Sequence, residues 1–188
     1  MALDYGFFNG IDRKYDAVQL SRMFDGIIND GVFATVGKQF EVKYVNNMLI
    51  TVGTGRAWFR HIWSSNDTLF PINLDPAETI IDRFDAIVLE TDLINRTAEI
   101  KYIKGIPASS AVEPEYSDTQ TLHQAPLAVI FRKAGSTSIS QMDIVNKVGT
   151  SKCPLVTAVN PTVTTESMIA NWEIEFDNWM VRRQNDFD

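Results

Sequence analysis

Asp85-Ala86-Ile87-Val88-Leu89-Glu90, a break about Asn95-Arg96, then Ala98-Glu99-Ile100-Lys101-Tyr102-Ile103-Lys104: this pair of runs decides the fold. The first is continuously apolar between two carboxylates. The second alternates apolar and charged side chains, the period-two signature of a strand with one buried and one wet face. A short turn between two such runs predicts a β-hairpin, and hairpins build antiparallel sheets without crossover helices. Working towards the N-terminus, Phe40, Val42 and Tyr44 alternate with Glu41 and Lys43, and Asn46-Asn47 separates them from Met48-Leu49-Ile50-Thr51-Val52. That predicts a second hairpin. Gly53 and Gly55 interrupt the pattern before another strand-like run, Arg56 to Trp63. Towards the C-terminus, residues 105–120 hold Gly105, Pro107, Ser109, Ser110 and Pro114 and read as a surface loop, after which Leu127-Ala128-Val129-Ile130-Phe131 supplies a further strand. The expected class is mainly β (α+β): an antiparallel β-sandwich or barrel-like domain over residues 32–160, with a helix on either side.

The flanks read differently. Over residues 1–31, Asp16 and Gln19 form a capping box, and Leu20, Met23, Phe24, Ile27 and Ile28 recur at helical spacings up to Gly31. An amphipathic helix is predicted there. Ahead of it, Tyr5, Phe7, Phe8 and Ile11 form a glycine-interrupted apolar leader, either packed on the core or serving as a docking arm. Over residues 161–188, Thr164, Thr165 and Glu166 suit a helix start, and Ile169, Trp172, Phe176 and Trp179 occupy a and d positions of a heptad. Burying a large apolar side chain stabilises by about 1.5–3 kcal/mol, so this stripe needs a cover. The chain's own sheet is one candidate; the same helix from neighbouring subunits, as an oligomerisation neck, is the other.

With 188 residues, 45% of them hydrophobic and 22% charged, the chain has the composition of a globular protein with one core and an appendage. A net charge of -7 would repel a phosphate backbone, and Arg182-Arg183 suits a solvated helix end, so no nucleic-acid partner is expected. Cys153 alone builds no disulfide framework and reads as a buried thiol. No basic, apolar and cleavage-site sequence opens the chain, and no apolar run reaches 18 residues, so neither signal-directed export nor membrane insertion is expected.

Sequence motifs for chemistry are scarce. There is no Gly-x-Ser-x-Gly elbow, His-Glu-x-x-His pair or phosphate loop, and Gly53-Thr54-Gly55 is half a dinucleotide fingerprint with Trp58 where the third glycine belongs. His61, placed inside an aromatic strand, and His123, at a strand entrance, read as structural hydrogen-bonding residues. Asp82 and Asp85 flank Arg83 and read as a turn with local ion pairing rather than a catalytic carboxylate pair. No catalytic residue, cofactor or metal is expected. Trp58 and Trp63 would stack on sugar rings if one edge of their strand were exposed, which keeps a carbohydrate-binding adhesion module as the alternative function.

Several stretches together resemble a known family: Gly6-Phe7-Phe8-Asn9 with Asp12-Arg13-Lys14-Tyr15, Phe24 through Phe33, Gly55-Arg56-Ala57-Trp58-Phe59, Asp82 through Glu90, Gly149 through Pro154, and the Trp172, Phe176, Trp179 helix. In order and number they are similar to baseplate and tail-tip structural proteins of phages and prophages of Gram-positive bacteria. The resemblance implies a non-enzymatic virion component, assembled in the host cytoplasm, that docks on other tail or baseplate proteins and anchors or forms part of the host-recognition apparatus. It also favours a homo-oligomer, a trimer, with host cell-surface carbohydrate as a further contact. Such proteins pass through a helical neck to a host-binding head. This sequence stops at Asp188, so the head is expected on a separate protein or to have been removed.

Overall fold

The computed structural model describes residues 17–24 and 26–157, together with Trp172, Glu173, Phe176 and Met180. The chain divides into two compact units, Met1–Val156 and Thr157–Asp188. In the first, a short helix α1 (Ala17–Ser21) runs into a 3-10 turn (Arg22–Phe24) and is followed by strands β1 (Gly31–Gly37), β2 (Val42–Asn46), β3 (Leu49–Val52), β4 (Gly55–Phe59), β5 (Ile62–Asn66), β6 (Phe70–Asn73), β7 (Arg83–Asp92), β8 (Thr97–Ile103), β9 (Leu122–Arg132) and β10 (Ile144–Asn146). They form three antiparallel sheets with strand orders β1-β4-β5, β10-β9-β7-β8 and β2-β3-β6. The mainly β, antiparallel class read from the sequence is present.

The β7–β8 hairpin belongs to the largest sheet. β7 pairs with β8 on one side and β9 on the other, and Ala86 through Leu89 are buried. This double burial is why the run is apolar without alternation, whereas the edge strand β8 alternates. The register of β7 against β9 shifts where Ile87 faces Ala128 but Val88 faces Pro126, leaving Leu127 as the extra residue. Proline has no N–H for a ladder bond, so a bulge accommodates it inside a central strand. Val32, Val42, Ile50, Val52, Phe59, Ile87, Leu127 and Ile130, drawn from all three sheets, meet in one core with Phe40 and Cys153.

Two local expectations are corrected. The helix predicted to run to Gly31 stops after a turn and a half: Gly26 takes φ 75°, and Ile27 and Ile28 both donate to the Phe24 carbonyl at 2.9 and 3.0 Å. A left-handed glycine closes a helix at this point because it pays no Cβ penalty. Leu20, Met23 and Ile27 consequently stand exposed instead of forming a buried face. The run Arg56 to Trp63 is not one strand either. Arg60 and His61, at φ 52° and 65°, form a tight two-residue turn between β4 and β5, so His61 lies at a hairpin tip.

In the second unit, Trp172, Glu173, Phe176 and Met180 have helical backbone and exposed side chains. Ile169 and Trp179 of the heptad stripe lie outside the described residues, as do the leader positions Tyr5, Phe7, Phe8 and Ile11. Among the described residues no helix is long and apolar enough to cross a membrane.

Candidate functional site

Polar and aromatic side chains concentrate in three places of the first unit. One is sealed. Arg83 and Asp85, two apart on β7, point to the same side, and β9 brings Arg132 opposite Arg83; the side chains of all three are fully buried. Asp85 accepts from Arg83 Nε at 2.8 Å and Nη2 at 3.3 Å, from the Tyr102 hydroxyl at 2.7 Å and from the Gly105 N–H at 2.9 Å. Arg132 Nε stands 3.6 Å from its second oxygen. Arg83 also donates to the Pro76 carbonyl and to Glu78, and Arg132 to the Asp75 carbonyl. Burial opposes the Arg83 charge, but the hydrogen bonds and charge of Asp85 outweigh it and hold the pKa above the ordinary value. The ion pairing read around Asp82 and Asp85 is therefore real, though its partners are Arg83 and Arg132; Asp82 instead accepts the Ala134 N–H. With no solvent path to these side chains, the cluster ties β7, β8 and β9 together.

The second place is a groove of about 450 Å³ whose walls include Trp63, Ser65 and Asn66 of β5, Phe70 of β6, and Glu99 and Ile100 of β8. Trp63 is 67% exposed and Phe70 42%. Of the two tryptophans singled out from the sequence, Trp58 and Trp63 are register partners across β4 and β5 and so share a sheet face. They are not equivalent. The Phe24 ring packs edge-on against Trp58 at 5.5 Å, whereas Trp63 presents its indole to solvent.

The third place was missed in the sequence. A cavity of about 540 Å³ lies among the turn end of the β4–β5 hairpin, the loop before β9 and the turn that ends at Cys153. Asp118 and His123 face each other across a four-residue turn, with Asp118 Oδ1 2.9 Å from His123 Nδ1. The Arg60 guanidinium binds the same oxygen, and its backbone N–H donates to the Asp30 carboxylate at 3.2 Å. The hydrogen bond from His123, then that from Arg60, holds the Asp118 carboxyl below its usual range. The His123 ring lies against Phe59 at 5.0 Å, and Lys152 Nζ sits 5.1 Å above the Tyr116 ring. Burial pushes the Tyr116 phenol up to about 12, with Glu113 adding to the effect. His123 Nε2 and the Tyr116 hydroxyl are both buried and have no protein hydrogen-bond partner.

Backbone conformation contributes to this arrangement. A left-handed non-glycine residue costs roughly 1–2 kcal/mol, and Arg60 and His61 are consecutive. The turn they form is what carries Arg60 back to Asp30 and Asp118. A sequence signal for the Asp118–His123 pair exists in Asp118-Thr119-Gln120-Thr121, a turn composition that brings residues five apart face to face. Cys153 is buried and its thiol is pushed up to about 12 by burial, as befits a packing residue. Among the described residues no group of His, Cys, Asp and Glu is arranged to hold a metal ion.

Comparison of the chain with protein-family models, curated proteins and solved structures returned no match.

Proposed function

We propose that the chain is a non-enzymatic structural component of a phage tail tip or baseplate, located in the virion after assembly in the host cytoplasm. In this reading the leader with Tyr5, Phe7, Phe8 and Ile11 docks on other tail or baseplate proteins, the three sheets form a rigid body, and the segment after residue 160 is a helix that gathers copies into a homo-oligomer, a trimer. The observation that carries it is the apolar row Trp172, Phe176 and Met180, four apart on helical backbone, which puts three large apolar side chains on one helical face. Covering a large apolar side chain is worth about 1.5–3 kcal/mol, and in this reading the same helix of another copy supplies the cover. The order of sequence stretches that resemble Gram-positive phage tail-tip proteins supports the location.

Multi-angle light scattering tests the assembly, with a trimer expected for the native chain and dissociation for Trp172→Glu combined with Phe176→Glu. A native chain that stays monomeric at high concentration overturns it. Immunogold labelling of particles tests the location: tail-tip label is expected, and label on the capsid, or hydrolysis of purified cell wall by the protein, would sink the reading.

A second reading, a carbohydrate-binding adhesion surface, is favoured by the solvent-facing Trp63 indole beside Phe70 and Asn66. An exposed aromatic face next to polar side chains suits the apolar face and hydroxyls of a sugar. Glycan-array binding abolished by Trp63→Ala supports it; binding indifferent to that change removes it.

A further inference from the structure

We propose that the free edge of β8 docks β8 of a second copy of this chain, antiparallel about a twofold axis at Ile100, so that the four-stranded sheet continues across the pair. β8 belongs to the first unit, so the contact does not involve the helix after residue 160 and stands or falls apart from the virion reading.

The outer strands of the three sheets are not equally open. Side chains occupy the edge of β2: Asn146 accepts from the Val42 N–H and donates to its carbonyl, and Gln141 accepts the Tyr44 N–H. β1 is bordered at Val32, which donates to Pro154 and accepts from Val156. β5 and β6 run for only five and four residues, and β6 contains Pro71. β8 runs for seven, ends its sheet, holds neither proline nor glycine, and pairs with β7 without a register shift. Among the described residues, its outer N–H and C=O groups have no partner from another strand or loop. A long, regular edge of this kind is a template for a further strand unless its charges forbid one.

The two charges on β8 do not forbid it; they select the occupant. Glu99 and Lys101 are two apart and share the wet face. With Ile100 opposite Ile100 in an antiparallel pair, Glu99 of each copy faces Lys101 of the other, Ala98 faces Tyr102, and Thr97 faces Ile103. Centring the pair on Glu99 or on Lys101 sets like charges face to face, as does a parallel pair in register, and that is unfavourable. Centring it between two residues turns the apolar face of one copy to the side of the other's charged face. Larger slips shorten the overlap and leave both charges unpaired. An edge complementary to itself about one axis fits an isologous contact. Both charges are available for it. Glu99, about half exposed, has a long contact of 3.8 Å to Lys101 of its own strand, and Lys101 commits one of its three donors to Glu90 at 2.6 Å. On the other face, Ala98 and Ile100 line the groove that also holds the exposed Trp63 and Phe70. A strand laid along β8 brings the second copy's Ile100 to that groove and covers apolar surface that is otherwise wet.

The test is sedimentation equilibrium of the full chain carrying Trp172→Glu and Phe176→Glu, so that the proposed helix contact does not contribute. A concentration-dependent monomer–dimer equilibrium is expected, because one strand pair is a small interface. Adding Glu99→Lys, or separately Lys101→Glu, should weaken self-association roughly five- to thirtyfold, since two pairs of unlike charges become like. An equimolar mixture of the two variants should associate again, because every facing pair then has opposite signs. Lys101→Glu also sets a carboxylate beside Glu90, so a disulfide gives a reading that does not depend on it. Ile100→Cys should cross-link into dimers on mild oxidation, the facing Cα atoms of an antiparallel pair being about 4.5–5.5 Å apart, whereas Ala98→Cys, whose twin lies four residues along, should not. The buried Cys153 stays out of the reaction. Far-UV circular dichroism establishes that each variant is folded. A parent chain that stays monomeric at high concentration overturns the proposal. So do charge variants that associate as tightly as the parent, or equal cross-linking from positions 98 and 100.

Discussion

Replacing Asp85 by alanine removes the one carboxylate that touches Arg83, Tyr102, Gly105 and Arg132, and the expected loss can be built from those contacts. Arg83 and Arg132 have fully buried side chains, so neither guanidinium can turn to water. Arg83 would keep the Pro76 carbonyl and Glu78, and Arg132 the Asp75 carbonyl, but two positive charges would then face each other across β7 and β9. Breaking a buried ion pair from one side costs about 3–5 kcal/mol, and the stranded Tyr102 hydroxyl and Gly105 N–H push towards the upper end. Domains of this kind have about 5–15 kcal/mol in total, so Asp85→Ala should lose a third of its stability or more. With a urea slope of about 2 kcal/mol/M, the unfolding midpoint should fall by roughly 1.5–2.5 M. Asp85→Asn preserves shape and one acceptor oxygen but turns an amide N–H₂ towards a guanidinium, so an intermediate loss is expected. Urea unfolding followed by tryptophan fluorescence and circular dichroism measures both, with coincident curves licensing the comparison. An alanine variant within about 1 kcal/mol of the native chain would refute the reasoning, since it would mean that the backbone carbonyls and Glu78 suffice to balance the arginines.

Three further outcomes follow from the structure. Gly105→Ala should destabilise by more than about 3 kcal/mol, because a Cβ there would lie 1.8 Å from the Phe84 carbonyl oxygen and the overpacking falls on backbone; thermal unfolding checks this, and a Tm within a few degrees of native would count against the register. Glu90 is a buried carboxylate; burial raises its pKa, but the hydrogen bonds from Lys101 Nζ at 2.6 Å and Gln124 Nε2 at 2.7 Å outweigh burial and depress it below 4.5. A depressed carboxylate stabilises above its unfolded pKa and loses that contribution as pH falls through its folded value, so the advantage of the native chain over Glu90→Gln, about 1–2 kcal/mol near neutrality, should shrink progressively as pH falls below 4.5 in urea titrations; an advantage independent of pH would contradict the assignment. Cys153 should react with a thiol reagent such as Ellman's only on unfolding, because it is fully buried and its thiolate is disfavoured; rapid labelling of the native chain would place it elsewhere.

How far the sequence reveals the fold depends on whether the deciding interactions are local. The β7–β8 hairpin is legible because its register, one buried face and one wet, is written every second residue. The β2–β3 hairpin is legible for the same reason, and Asn47 at φ 43° supplies the left-handed turn residue that asparagine tolerates. The N-terminal helix misleads because Leu20, Met23, Phe24, Ile27 and Ile28 keep helical spacing across Gly26, and spacing cannot tell that the glycine turns left-handed and ends the helix. The β4–β5 turn is hidden for the opposite reason. A tight two-residue turn usually announces itself with Asn-Gly or Asp-Gly, and here Arg60-His61 carries it with no glycine. The buried ion cluster is half legible: Arg83 and Asp85 are two apart on one strand face, but Arg132 arrives only through the β7–β9 pairing, which no local pattern encodes.

The unusual turn and the His123 cavity belong to one argument. An Asn-Gly pair at residues 60 and 61 would make the same hairpin with less strain, so the conformation alone does not require arginine. Arginine at 60 is required by what its side chain reaches: the guanidinium and His123 converge on one oxygen of Asp118, and that convergence fixes which imidazole nitrogen carries the proton. The left-handed backbone at Arg60 is thus coupled, through Asp118, to the His123 ring. Arg60→Gly should relieve backbone strain by roughly 1–2 kcal/mol while releasing the Asp118 carboxylate on one side. If the hairpin were only a connection between β4 and β5, that change would raise stability and leave the His123 ring resonances where they are. If the turn exists to hold the Asp118–His123 pair, the ring resonances shift even as the hairpin becomes more stable.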